Sequence, residues 1–109
     1  MGKFEIKKTK SGLYKFDLKA SNGQVILSSQ TYKSMPGCQK GLGSVKMNAK
    51  DDKRYDRKTA KDGSPYFNLK AKNGQIIGTS EMYSNTSGME NGIASVKKNA
   101  PGATIEHKS

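Results

Sequence analysis

The chain has 109 residues, of which 20 are lysine or arginine and 9 are aspartate or glutamate, so its formal net charge is +11. Only 32% of the residues are hydrophobic, and the longest apolar run is Val25-Ile26-Leu27, which excludes a membrane-spanning helix and predicts a small core. A single cysteine excludes an intrachain disulfide, and the first residues lack the apolar segment of a signal peptide. We expect a basic cytoplasmic protein with no membrane attachment.

The first three predicted elements are strands. Apolar and charged residues alternate from Lys3 to Lys8 and again from Tyr14 to Ala20, which indicates two strands that are each buried on one side. Ser11-Gly12 predicts a turn between them. Asn22-Gly23 then predicts a two-residue type I′ hairpin leading to a third strand that begins at Val25.

After the third strand the apolar period changes to that of a helix. A stripe of about three turns is predicted by the spacing of four residues, Cys38, Leu42, Val45 and Ala49. Gly41 lies inside this helix, where glycine costs roughly 1 kcal/mol relative to alanine. We therefore expect the helix backbone at Gly41 to pack closely against the sheet.

The pattern then repeats at an offset of 51 residues. Of the 36 paired positions from Tyr14/Pro65 to Ala49/Ala100, 17 are identical, with no gap. Ser87-Gly88-Met89-Glu90 predicts a capping box at the second helix. Arg57 occupies the position of Ile6, so the opening strand is more polar in the second copy. The second copy is predicted to have strands at 54–58, 66–71 and 76–77, a helix with apolar positions at 89, 93, 96 and 100, and a last strand at 103–105.

One copy alone offers a short sheet and a single helix, an arrangement of marginal stability. We therefore predict one α+β domain over residues 1–109, built of two tandem β-β-β-α(-β) repeats at about 4–52 and 55–106. The repeats are expected to form a single, mostly antiparallel sheet with pseudo-twofold symmetry and both helices on one face. Two copies join either edge to edge or by exchange of a strand. The predicted state is a monomer that contains an internal pseudo-dimer.

A doubled motif connects the chain to a known family. It consists of Phe-x-Leu-Lys-Ala-x-Asn-Gly-Gln, Ser-x-x-Tyr and Gly-x-x-Ser-Val-Lys-x-Asn-Ala, present in both copies. From residue 4 to about 106 the chain resembles the tandem-repeat subfamily of the YegP-like bacterial proteins of unknown function. The resemblance implies a β(3)-α-β unit whose last strand is exchanged, so that 53–58 closes the first unit and opens the second. It implies no activity, cofactor or catalytic residue.

Four features suggest chemical sites, and each has a simpler interpretation. Cys38 has the right chemistry for a nucleophile, but its counterpart Met89 favours a buried apolar filler. The only histidine, His107, lacks a partner at metal-ligand spacing and is predicted to lie in a surface tail. The acidic residues at 51, 52 and 56 alternate with basic residues, which indicates charge compensation rather than a cation site. The glycines at 37, 41 and 43 lie at a predicted helix start and suggest phosphate binding, but they lack the Gly-Lys-Ser/Thr ending of a P-loop. We predict no catalytic, cofactor or metal site.

The remaining candidate is the sheet face opposite the helices. Lysines alternate with the apolar residues of the strands and are therefore expected to project from that face, together with one aromatic residue. An uncovered sheet with basic and aromatic side chains is typical of RNA and single-strand binding proteins. The predicted contact residues are Lys7, Lys15, Lys19, Tyr66, Lys70 and Lys72.

Two functions follow from these observations. The first is a non-catalytic module that binds a polyanion such as RNA through the lysine-rich face. The alternative is a protein–protein interaction or oligomerisation module with no role in nucleic-acid binding. An enzyme would need convergent polar groups that the sequence does not indicate.

Overall fold

A computed structural model describes residues 2–108 of the chain. One sheet of seven strands, in the order β4-β5-β6-β3-β2-β1-β7, is covered on one face by two helices. Neighbouring strands are antiparallel except β1 and β7, which are parallel. The predicted α+β architecture is confirmed. The elements are β1 (Lys3–Lys8), β2 (Tyr14–Lys19), β3 (Val25–Ser28), α1 (Met35–Asn48), β4 (Tyr55–Thr59), β5 (Pro65–Lys70), β6 (Ile76–Thr79), α2 (Thr86–Asn99) and β7 (Thr104–His107).

The pseudo-twofold axis passes through the middle of the sheet. The two repeats meet where β3 pairs with β6, and the residues in register there, Ser28 and Thr79, are equivalent positions of the two copies. The strand that follows each helix lies in the other repeat's half of the sheet, because β4 follows α1 and pairs with β5 while β7 follows α2 and pairs with β1. Of the segment 53–58, the first residues belong to a short 3-10 helix (Asp52–Arg54), and the strand begins at Tyr55.

Close to this axis the symmetry is broken by size. Leu27 is fully buried, whereas its counterpart Gly78 has no side chain. A Cβ added at Gly78 would lie 2.7 Å from Cγ of Leu27. Since buried atoms are packed at crystal-like density, the junction has room for one large side chain and not for two.

The hairpin turns differ from the predicted type. The prediction of a type I′ turn at Asn22-Gly23 is wrong. That turn needs a positive φ at both central residues, and among the described residues only glycines have one. Instead the amide of Gly23 donates to the carbonyl of Ala20, Gly23 has a φ of 85°, and Ala20 donates to the carbonyl of Gln24. This is a three-residue loop, a type I turn followed by a left-handed glycine. The loops at Gly12, Gly63 and Gly74 have similar φ and the equivalent hydrogen bonds.

Each helix begins at a polar cap one residue before its first turn. The side chain of Ser34 accepts from the amide of Gly37, and that of Asn85 accepts from Gly88. The predicted capping box is therefore wrong, since Ser87 already lies inside α2. The side chain of Glu90 instead pairs with Arg57, 2.6 Å from Oε2 to Nε.

Gly41 and Gly92 do mark close packing, but the partner is a tyrosine ring rather than a strand. A Cβ added to Gly41 would lie 2.7 Å from Cζ of Tyr32, and the equivalent distance from Gly92 to Tyr83 would be 2.6 Å. The ring of Tyr32 also stacks on Phe16 at 6.4 Å between centroids. The tyrosine of each repeat is thus held between the sheet and the helix backbone.

The two ends of the sheet are not equivalent. β1 is an inner strand because β7 pairs with its outer edge, whereas β4 lies at the edge of the sheet. Ile6 on β1 is 1% exposed and belongs to the core. Arg57, its counterpart on β4, contacts Glu90 and Asp52, and Asp52 also binds Lys97 at 2.7 Å. A charged cluster therefore stands where the first repeat has an apolar contact, as is usual at edge strands.

From the packing where β3 meets β6, we predict that the large residue Leu27 and the small residue Gly78 can be exchanged across the axis. Leu27→Gly should lower the free energy of unfolding by about 3 to 5 kcal/mol through the cavity, and Gly78→Leu by about 1 to 3 kcal/mol through overpacking. The double variant, which exchanges the two residues across the axis, should be more stable than the sum of the single effects allows. Urea denaturation of the four proteins measures this coupling. Strict additivity would contradict the shared space.

Two glycines of α1 give a matched pair. Gly41→Ala should destabilise the protein by about 1 to 3 kcal/mol, because the Tyr32 ring, packed on Phe16, has little room to move. Gly43→Ala, two residues on, meets no atom within 4 Å and should stabilise it by about 0.5 to 1 kcal/mol through helix propensity. Chemical denaturation of both variants measures the difference. Equal shifts would show that the tyrosine contact is not limiting.

Candidate nucleic-acid interface

The face opposite the helices is formed by the alternate residues of the strands. Phe4 and Ile6 of β1 and Phe16 and Leu18 of β2 are buried in the core. The residues between them therefore project from the other side of the sheet. We call this side the open face. In the first repeat it carries Lys3, Glu5, Lys7, Lys15, Asp17 and Lys19.

Two carboxylates lie at the centre of this half of the open face. Glu5 and Asp17 are in register on neighbouring strands and are 2% and 5% exposed. Each lies between two lysines that cover it. Nζ–O distances are 3.1 Å for Lys19–Glu5, 3.4 Å for Lys3–Glu5, 3.1 Å for Lys7–Asp17 and 3.7 Å for Lys15–Asp17.

The register places like charges opposite one another. Lys3 faces Lys19, and Lys7 faces Lys15, with the carboxylate pair between these two rows. Directly opposed like charges destabilise a sheet. Here each ammonium reaches a carboxylate of the central row, so the three rows compensate one another. The lysine side chains remain 25 to 43% exposed, so the heads lie at the surface above buried acids.

The carboxylates are stabilised in their charged form. Burial by itself would raise the pKa of Asp17, but hydrogen bonds from Ser28 and Lys7 and the charge of Lys15 outweigh it and hold that pKa below its ordinary value. The pKa of Glu5 is also lowered, chiefly by the hydrogen bond from Lys19. These two acids therefore stay ionised and keep the lysines in place.

The second repeat has a simpler version of the same arrangement. Asp56 lies 3.1 Å from Nζ of Lys70 and 3.6 Å from Nζ of Lys58. Asn68 stands where the first repeat has Asp17, and it accepts a hydrogen bond of 2.9 Å from Thr79. Tyr66 occupies the position of Lys15. On β7, Glu106 is in register with Glu5 and pairs with Lys3 at 3.2 Å and with Lys108 at 2.8 Å. Including this pair, seven lysines face four carboxylates, so the open face keeps a positive excess.

The structure brings five of the six predicted contact residues onto one face. They are Lys7, Lys15, Lys19, Tyr66 and Lys70. Lys72 is separate, because it lies in the β5–β6 turn and lines a groove against α1 on the other side of the sheet. The selection of lysines from the sequence missed the acids that hold them. The signal was present, since Glu5 and Asp17 stand at the same alternate positions as the lysines around them.

Cys38 is fully buried in the core, and burial raises the pKa of its thiol. This confirms the interpretation as an apolar filler, since an attacking thiol needs an accessible thiolate. Within residues 2–108 no group of three or more histidine, cysteine, aspartate or glutamate side chains could hold a metal ion. His107 is exposed, as predicted, but it is the last residue of strand β7, opposite Ile6, and not part of a tail.

The acidic connection compensates charge, as predicted. Asp51 caps the 3-10 helix by accepting from the amide of Lys53, and it pairs with Arg54 at 3.5 Å. Asp52 binds Arg57 and Lys97. In the described part of the chain, neither helix is long and apolar enough to cross a membrane.

Asp17→Asn should change how stability depends on pH. Because the pKa of Asp17 is lowered on folding, its carboxylate stabilises the protein above the unfolded-state pKa of about 3.9, and this contribution is lost as the pH falls through the folded-state pKa. We expect the variant to be less stable by about 1 kcal/mol at neutral pH, with the two curves converging below about pH 4. Urea denaturation at a series of pH values measures this. Parallel curves would contradict the assignment.

The comparisons with known proteins agree with the fold. The model of the family described as "Domain of unknown function (DUF1508)" matches the chain twice, at residues 10–56 and 60–106. A UPF0339 protein of Bordetella pertussis is 54% identical over 109 residues, which is 100% of this chain and 98% of the relative. The UPF0339 protein YegP of Escherichia coli K12 is 47% identical over 105 residues, 96% of each chain.

Two solved structures share the architecture. The solution NMR structure of a UPF0339 protein from Shewanella oneidensis has a TM-score of 0.92 at 47% identity and covers 97% of this chain and 90% of its own. That of the protein of unknown function yegP from E. coli has a TM-score of 0.94 at 46% identity, with 98% and 92% coverage. As the doubled motif predicted, the chain belongs to the DUF1508 (UPF0339, YegP-like) family, whose function is unknown.

Proposed function

We propose that the chain is a non-catalytic binding module whose open face contacts a polyanion of the RNA class. The observation that carries this proposal is the set of seven lysines held around four carboxylates on an uncovered sheet. Phosphate groups supply the complementary charge, and neutralising them releases counterions, which favours binding. The net charge of +11 adds long-range attraction.

The buried acids contribute to binding by ordering the lysines. An exposed lysine loses rotamer entropy when it binds, at a cost of about 0.5 to 1.5 kcal/mol per side chain. On the open face Glu5 and Asp17 have already restricted four lysines before any ligand arrives. An ammonium has three donors, so a lysine bound to one carboxylate oxygen keeps donors for a phosphate.

Tyr66 supports a single-stranded ligand rather than a duplex. It lies on the open face beside Lys58, with its ring half-buried. Aromatic rings in basic sheets stack on unpaired bases, at about 1 to 3 kcal/mol per base. One ring predicts weak binding without sequence preference, in which the affinity depends mainly on the phosphates.

A protein partner is the second candidate, and the sheet edges support it. The outer edges of β4 and β7 pair with no strand among the described residues, and Ile105 on β7 is 48% exposed. Strand addition at such an edge is a recurrent mode of peptide recognition and of oligomerisation. This candidate predicts a higher mass in light scattering, independent of nucleic acid, whereas the polyanion proposal predicts a monomer.

The test of the polyanion proposal uses fluorescence anisotropy with a labelled oligouridine. Lys7→Gln with Lys15→Gln should weaken binding by about tenfold or more and reduce the slope of log K against log salt by about 0.7 for each phosphate that is no longer neutralised. The matched control, Lys33→Gln with Lys98→Gln, removes the same charge from exposed positions in the β3–α1 loop and on α2. Thermal melting of all proteins confirms that they are folded.

No binding of the unmodified chain at low salt would refute the proposal. Equal reductions in affinity for the two double variants would refute the open face as the site and leave only general charge attraction.

A further inference from the structure

The fold contains two grooves that are related by its internal symmetry. Each helix lies beside the second hairpin turn of the other repeat, and a groove runs between them. The first groove separates α1 from the β5–β6 turn, and the second separates α2 from the β2–β3 turn. Lining positions of the two grooves correspond at the repeat offset, from the turn residues Ala71 and Ala20 to the helix-end residues Asn48 and Asn99. The two grooves can therefore be compared residue by residue within one chain, and the second groove is the internal reference for the first.

The first groove is the larger, with a volume of about 850 Å³ against about 370 Å³. It is continuous with a further depression of about 340 Å³, which shares Lys40, Ser44 and Asn73 with it. Together they follow α1 from Gly37 to Asn48, a length of roughly 17 Å. This length suits a short peptide segment rather than a small molecule.

The residues that distinguish the two grooves are concentrated on the first. Met47 stands where the second groove has Lys98, and its side chain is 83% exposed. Gly43 replaces Ala94, and no atom lies within 4 Å of a Cβ built on it, so the wall is open there. At the far end Ile76 is 41% exposed. The first groove therefore offers apolar surface that its counterpart lacks.

The charges around this apolar surface are mainly positive. Lys40 and Lys72 stand where the second groove has Asn91 and Ser21. Both lysines are exposed at the rim of the first groove, Lys40 on α1 and Lys72 in the β5–β6 turn. Neither forms an ion pair with any residue of the described range 2–108. Arg54 also lines the groove, but Asp51 neutralises it at 3.5 Å. Two ammonium groups that lack an acidic partner in the described range thus flank an exposed methionine.

We propose that the first groove docks an acidic peptide segment of a partner protein, with an apolar side chain on Met47 and carboxylates on Lys40 and Lys72. A flexible thioether suits side chains of varied shape, and methionine is common on surfaces that bind peptides. A second copy of this chain is disfavoured, because each copy carries +11. The groove lies on the helix side, away from the open face, so the two surfaces can be occupied independently.

The test is a selection from a phage-displayed library of random short peptides on the full chain. Enriched peptides should carry acidic residues around a large apolar residue. In NMR titrations of the labelled protein, their binding should shift the amide signals of Gly43, Ser44, Met47 and Asn73.

The internal reference supplies the variants. Lys40→Asn, Gly43→Ala, Met47→Lys and Lys72→Ser together import the residues of the second groove, which the same fold already accommodates. This fourfold variant should weaken peptide binding by about tenfold or more and leave oligouridine binding within about twofold. Lys98→Met, the matched change in the second groove, should leave peptide binding unchanged.

Three results would overturn the inference. They are a selection that enriches no peptides of this composition, peptide shifts on the open face instead of α1, and oligouridine shifts at the groove amides. The last would assign the groove to nucleic acid. Because the fourfold variant keeps every open-face lysine, failure of this inference and failure of the polyanion proposal are seen in separate measurements.

Discussion

The pairing of β3 with β6 at equivalent residues determines the rest of the structure. Since Ser28 and Thr79 are in register, the two repeats are related by an axis through the sheet, and each helix covers strands of both repeats. Residues near such an axis meet their own counterparts. Leu27 fills the space at this junction, and a side chain at position 78 would collide with it, so one large and one minimal residue share the space. The two copies are therefore asymmetric where they meet.

The ends of the sheet show the same constraint in another form. One chain passes through both repeats, so the connection after α1 leads directly into β4, while the chain after α2 continues into the additional strand β7. β1 thereby becomes an inner strand and keeps Ile6, and β4 becomes an edge strand and carries Arg57. Arg57 is polar where the first repeat has an apolar residue because it lies on the strand at which the hydrogen-bonded sheet ends.

The two faces of the sheet differ in how their charge is managed. On the open face, buried carboxylates order the lysines and reduce the local positive excess. On the helix side, Lys40 and Lys72 beside the first groove pair with no acid in the described part of the chain. A net charge of +11 therefore does not describe one uniform basic surface. It divides into an ordered lysine array and separate lysines beside apolar surface, and such surfaces suit different ligands.

Much of this architecture was predictable, because it depends on periodicity within single segments. Alternation in β1 and β2, the helical stripe of α1 and the offset between the copies identify strands, helices and repeats without tertiary information. The close packing at Gly41 was also predictable, since a repeated glycine inside a helix has a cost that packing must offset. The identity of its partner, Tyr32, was not, because that contact depends on where the loop places the ring.

The candidate site was predicted only in outline. Five of its predicted residues share the open face because alternation alone puts them there, but Lys72 lies beyond the bend of a hairpin, where alternation no longer applies. The acids were missed because the burial of Glu5 and Asp17 depends in part on lysines that the register brings from the neighbouring strand, Lys19 and Lys7.

The amino-acid sequence by itself thus determined the elements, their doubling and the side of each strand that faces the core, since these follow from local spacing. Tertiary structure alone decided the strand order, the edge position of β4, the ion pairs of the open face and the difference between the two grooves. These features are set by contacts between residues far apart in the chain, and the energy of such contacts depends on geometry that no local pattern contains.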